Sequence, residues 1–148
     1  MLRNVRILLL LCLASLLAAC AGPRYAEVAR NAPLKPGMGR IFIFPTTSTS
    51  CSFVSRAQLR VNNEVVGRVK PDVFYYVDRA PGSYVVTDKY WTGDGASFAL
   101  AAGETRYVDY HFPTMGSSGC GKPSFRFVES SAEAERLLLP MSYGGTSR

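Results

Sequence analysis

The chain has 148 residues, with 17 Lys and Arg against 11 Asp and Glu, and a formal net charge of +6. Its length suits one domain, and an apolar share of 47% is too high for disorder throughout. The basic excess comes without a dense Lys/Arg stripe or a recognised module, so nucleic acid is not an expected partner, whereas anionic headgroups or envelope polyanions suit it.

The first element is a targeting segment. Arg3 and Arg6 precede an almost wholly apolar run over 7–17, followed by Ala18, Ala19 and Cys20. Basic, then apolar, then small is the order of a secretory signal. The run falls short of the about 20 apolar residues that span a bilayer. Leu17-Ala18-Ala19-Cys20 resembles a bacterial lipobox. The resemblance implies that the Cys20 thiol takes a diacylglyceryl group, that residues 1–19 are cut away, and that the new amine is acylated. A thiol is needed because its thiolate is the nucleophile. Ala21, where an Asp would retain enteric lipoproteins in the inner membrane, implies the outer membrane, facing the periplasm. The alternative is an ordinary secretory signal with an incidental cysteine.

Residues 20–38, with Pro23, Pro33, Pro36 and Gly37, read as a lipidated tether holding one short helical turn near 25–30. The domain is expected over 39–140. A buried strand at 39–45 is stopped by Pro45, and a Ser/Thr loop carries Cys51. Segments 57–62 and 65–70 flank Asn62-Asn63-Glu64, a tight hairpin because Asn tolerates left-handed dihedrals, and Gly67 suggests a bulge. Pro71-Asp72 turns into a strand at 73–78 that is apolar on both faces. Ala80-Pro81-Gly82-Ser83 turns next, with Gly82 expected at positive φ. Further strands follow at 84–91, 96–100 and 105–112. The last places Val108, Tyr110 and Phe112 on one face and Tyr107, Asp109 and His111 on the other. A Gly/Ser-rich loop over 113–123 carries Cys120, and Phe125 and Phe127 alternate with Arg126 in a final strand. Ser130-Ser131-Ala132-Glu133 reads as a capping box for a helix ended by Pro140. Residues 141–148 read as a disordered tail.

Short strands with a turn about every ten residues predict an all-β fold. The expected architecture is an antiparallel β-sandwich of about seven to eight short strands with a short C-terminal helix, after a signal segment and tether. The order of strands and turns over about 37–130 resembles a domain of small bacterial lipoproteins. That domain is similar to PEGA and carboxypeptidase-regulatory-like sandwich modules. The resemblance implies a surface-attached binding or structural role and supplies no catalytic residues.

Of the four cysteines, Cys12 leaves with the signal and Cys20 takes lipid, leaving Cys51 and Cys120. In an oxidising compartment these read as a disulfide, worth about 4 kcal/mol for so long a loop, with two separate buried thiols as the alternative. Two distant cysteines and a single histidine have no metal-ligand spacing, and no cofactor is expected. Asp109 and His111 share a strand face, but no nucleophile turn accompanies them. Of the tyrosines and tryptophan, most read as core. Tyr90 and Trp91, beside the Gly93-Asp94-Gly95 turn, read as candidates for binding a partner. The expected function is non-catalytic: a membrane-anchored module binding an envelope protein or peptidoglycan. The alternatives are a tethered inhibitor inserting the 113–123 loop into a hydrolase, and a hydrolase using Asp109 and His111.

Overall fold

The computed structural model describes residues 22–47, 57–88, 95–112 and 123–145. Helix α1 (Tyr25–Asn31) leads into β1 (Gly39–Thr47), β2 (Gln58–Val61), β3 (Glu64–Arg68), β4 (Val73–Arg79) and β5 (Gly82–Thr87). Then come β6 (Ala96–Leu100), β7 (Thr105–Phe112), β8 (Ser124–Phe127), helix α2 (Ser131–Leu138) and β9 (Ser142–Tyr143). A five-stranded sheet, ordered β8-β7-β1-β4-β9, faces a four-stranded sheet, ordered β3-β2-β5-β6. The expected all-β sandwich with a short C-terminal helix is therefore what the chain forms.

Two details differ from expectation. β1 pairs with β7 in parallel, as β4 does with β9, so the larger sheet is mixed rather than antiparallel throughout. Each connection reverses the chain, and β1 and β7 lie an even number of reversals apart because the path twice visits the other sheet between them. α2 carries the chain back between β8 and β9, which run in the same direction. The extra strand is β9, in what reads as tail.

β1 and β4 are apolar on both faces because both faces are covered. Inward, Ile41, Ile43, Tyr75 and Val77 meet Leu59, Val61, Val66, Val86 and Leu100 of the smaller sheet. Outward, Phe42, Phe44 and Phe74 meet Tyr25 and Val28 of α1 and Ala134 and Leu138 of α2. Tyr25 sets its ring edge-on to Phe42 and Phe74, with centroids at 5.7 and 5.8 Å. Each such side chain contributes about 1.5–3 kcal/mol by burial, so the helices form part of the fold.

Residues 22–38 are consequently not a free tether. Tyr25 and Val28 are buried. Tyr143 N donates to Pro23 O at 2.8 Å, Tyr25 N to Met141 O at 3.3 Å, and Arg24 bridges to Ser142. Among the described residues, the packed body thus takes in the stretch from Gly22 and runs through β9. The reason is that the aromatic outer face needs a cover and the chain on either side of the sandwich supplies it. The Tyr143 ring packs at a tilt against Tyr76, with centroids 4.9 Å apart, which holds β9 in place.

Arg40 pins the link from α1 to β1. Its Nε and Nη2 donate to Asp78 at 2.6 and 2.8 Å, and Nη1 and Nη2 donate to the carbonyls of Ala32 and Pro33. The guanidinium lies 4.4 Å from the centre of the Tyr76 ring. The hydrogen bond to Asp78 pushes the Arg40 pKa up.

The turns are settled by local chemistry. Asn62 and Asn63 take φ of 46° and 67°, and Asn62 also caps the neighbouring strand, accepting from Val85 N at 2.9 Å and donating to Ser83 O. Asp72, not Gly82, takes a positive φ in the stretch around β4; Gly82 simply opens β5. The bulge expected at Gly67 falls beside it: the pairing steps from Leu59–Gly67 to Arg60–Val65, leaving Val66 extra. Gly67 itself is needed because a Cβ there would lie 2.3 Å from the Tyr75 ring. Ser130 caps α2, accepting from Glu133 N at 3.3 Å.

Two outcomes follow from the buried polar groups. Asp78→Ala strands a guanidinium that is 6% exposed as a residue and should cost about 3–5 kcal/mol in urea unfolding, whereas Arg40→Met with Asp78→Leu should cost less than Asp78→Ala alone. Burial also raises the phenol pKa of Tyr25, Tyr75, Tyr107 and Tyr143 above the ordinary 10.0. Folding favours the neutral phenol, so this stability is complete below the unfolded value of about 10 and is lost as pH rises beyond it. The denaturant midpoint should fall above about pH 10, and Tyr75→Phe should make that fall shallower.

Candidate functional site

The outer face of the larger sheet has a polar cluster where β1, β7 and β8 lie side by side. Thr46 pairs with His111, Phe44 with Asp109, and Asp109 with Arg126. Alternation along each strand sends Thr46, Asp109, His111 and Arg126 to this same face, opposite Val108 and Tyr110. This bears out the reading that Tyr107, Asp109 and His111 share a side.

Asp109 is wholly buried. Its Oδ1 accepts from Thr46 N at 2.9 Å, and its Oδ2 accepts from Thr46 Oγ1 at 2.5 Å and from Arg126 Nε at 2.6 Å. A buried carboxylate is stable only when so paired. His111 stands further off, with Nδ1 3.8 Å from Asp109 Oδ2 and 3.4 Å from Thr46 Oγ1. The imidazole side chain is 35% exposed.

This is not the order of a nucleophilic relay. In a triad the carboxylate orients the histidine, which takes the proton of the hydroxyl. Here the one hydroxyl proton of Thr46 goes to Asp109, so Thr46 cannot also donate to His111. The carboxylate is committed to a backbone amide, a hydroxyl and a guanidinium. The arrangement locks the ends of three strands in register.

A second polar site is Arg40 with Asp78, beside a groove lined by Pro33, Lys35, Arg79 and Tyr143. The Nε, Nη1 and Nη2 of Arg40 each donate to a protein acceptor, so this pair too acts as a clamp. Among the described residues no three His, Cys, Asp or Glu side chains gather to hold a metal. No described helix is long and apolar enough to cross a membrane.

The tyrosines divide by layer. Tyr75 is in the inner core, Tyr25, Tyr76 and Tyr107 serve the helix-covered face, and Tyr84 leans on Phe98. Cys20, Cys51, Cys120, Tyr90 and Trp91 lie outside the described residues. The topology nevertheless sets where their segments depart. Thr47 stands beside Phe112, Ala57 beside Val69, and Asp88 accepts from Tyr110 Oη at 2.5 Å. The connections from 47 to 57, 88 to 95 and 112 to 123 therefore all leave one end of the sandwich.

Thr46, Arg126 and the Arg40–Asp78 pair were not singled out from the sequence. Arg126 carried a weak signal, a lone cation alternating with Phe125 and Phe127, and Arg40 a similar one at the head of an apolar run. No family model, curated protein or solved structure matches the chain.

The roles separate by substitution. Asp109→Ala leaves the Thr46 amide without its acceptor, while Arg126, whose side chain is 55% exposed, turns to water; the change should cost about 1–3 kcal/mol. His111→Ala should change stability by less than about 1 kcal/mol in the same unfolding assay.

Proposed function

We propose that the protein is a bacterial lipoprotein, held in the cell envelope by lipid on Cys20, whose sandwich is a non-catalytic binding or structural module. The observation that carries this reading is Leu17-Ala18-Ala19-Cys20, set behind Arg3, Arg6 and an apolar run. Each buried methylene is worth about 0.8 kcal/mol, and two chains suffice for a stable anchor. The outer membrane, facing the periplasm, is the expected site because Ala21 follows the cysteine.

A non-catalytic role is supported by the commitment of Asp109 to structural partners. A relation to PEGA-like modules, suggested by the turn pattern, belongs to the same proposal. The partner would be another envelope protein or peptidoglycan.

The test is the mass and partition of the mature chain. Acylation adds a diacylglyceryl group at Cys20 and an acyl group at its amine, and Cys20→Ala should abolish both the added mass and sedimentation with membranes. An unmodified mature amino terminus in the wild-type chain overturns the reading.

A further inference from the structure

We infer that residues 22–31 form a releasable strap: α1 lifts off the sandwich as a unit, pivoting at Ala32-Pro33, while both sheets stay folded. Its use, as spare length in a lipid tether, rests on acylation of Cys20 as proposed above. The strap is lightly held. Of its ten residues eight are exposed, and only Tyr25 and Val28 are buried. Among the described residues, its backbone reaches outside the segment only to Met141, Ser142 and Tyr143 and, at the pivot, to Ala32. Arg24 Nη1 donates to Pro140 O, and the Tyr25 phenol donates to Tyr107. β9 is itself a strand of two residues, paired with Val73 and Phe74. A seven-residue helix has too few turns to persist alone once it leaves its cover.

The sandwich does not depend on the strap. The buried side chains form two separate clusters, one between the sheets and one on the outer face of the larger sheet, and Tyr25 and Val28 belong to the second. α2 is tied by the chain to β8 and to β9, whereas the strap is tied to the strands at one end only, through Ala32. There Arg40 sets the pivot. Its guanidinium holds the carbonyls of Ala32 and Pro33 while bound to Asp78. Beyond it, Met38 O accepts from Gly103 N at 2.9 Å, so opening stops short of β1. Segments with few buried contacts open at lower free energy than the core they cover. Closed, the chain is already bonded to Tyr143 at Pro23, three positions after Cys20. Open, the ten residues add up to about 30 Å in polyproline geometry. A pull on the anchor favours the longer form, so the sandwich follows a partner held deeper in the envelope without unfolding.

Native-state hydrogen exchange on the lipidated full-length chain, purified from membranes in detergent, tests the release. Amides of 25–32 should exchange about a hundredfold faster than the ladder amides of β1 and β7. The Gly103 amide, held by Met38, should keep pace with the ladder. Val28→Ala should speed exchange over 25–32 by about tenfold. Val86→Ala, at a wholly buried site between the sheets, should speed the ladder by about tenfold and leave 25–32 unchanged, because the open strap keeps its sandwich. One rate for 25–32 and the ladder in the wild-type chain overturns the release, and so does acceleration of both by Val86→Ala. If Val86→Ala does not fold, the wild-type comparison decides alone. Gly103 exchanging in step with 25–32 overturns the pivot. Intact mass reads the lipid separately: a chain without it overturns the anchor and the tether role, while the exchange rates still decide the strap.

Discussion

β1 is apolar on both faces and paired on both edges, and the rest of the molecule is arranged to meet those demands. Its edges take β4 and β7. Its inner face takes the four-stranded sheet, and its outer face takes two helices too short to be stable alone. α1 exists because Tyr25 and Val28 have Phe42 and Phe74 to cover, and α2 because Ala134 and Leu138 do the same. A chain segment that composition marks as a spacer becomes a layer of the structure for this reason.

Two charge clusters bracket the aromatic outer face. Arg40 with Asp78 closes one end, and Asp109 with Arg126 and Thr46 closes the other. Both pair strands distant in sequence, and both bond backbone as well as side chains. Asp109 holds the amide of Thr46, while Arg40 holds the carbonyls of Ala32 and Pro33. Between them the rings of Phe42 and Tyr107 stack at 5.4 Å. The polar groups thus bound a dry layer and keep the strands beneath it from slipping.

Much of this was legible in the sequence where the signal is local. The Asn62-Asn63 turn, the Ser130 cap, the alternation along β7 and the two-sided apolar strand at 73–78 each follow from the chemistry of adjacent residues. What was not legible depends on distant pairing. α1 buries only two side chains, in a segment dense with proline. β9 is Ser142 and Tyr143, too short for any period. Parallel pairing of β1 with β7 leaves no mark on either strand, and without it nothing joins Thr46 to Asp109.

The order of strands has a consequence for how the molecule is made. β1 emerges early, yet Asp78, which closes on Arg40, lies 38 residues further along, and His111, beside Thr46, lies 65 residues beyond it. Until both arrive, an apolar ribbon with two open edges waits in solvent, the kind of segment that invites wrong partners. Contacts so distant in sequence also slow the search for the native state. The nascent chain is therefore most vulnerable to aggregation before β7 is complete, and a holdase that shields extended apolar segments would act in that interval.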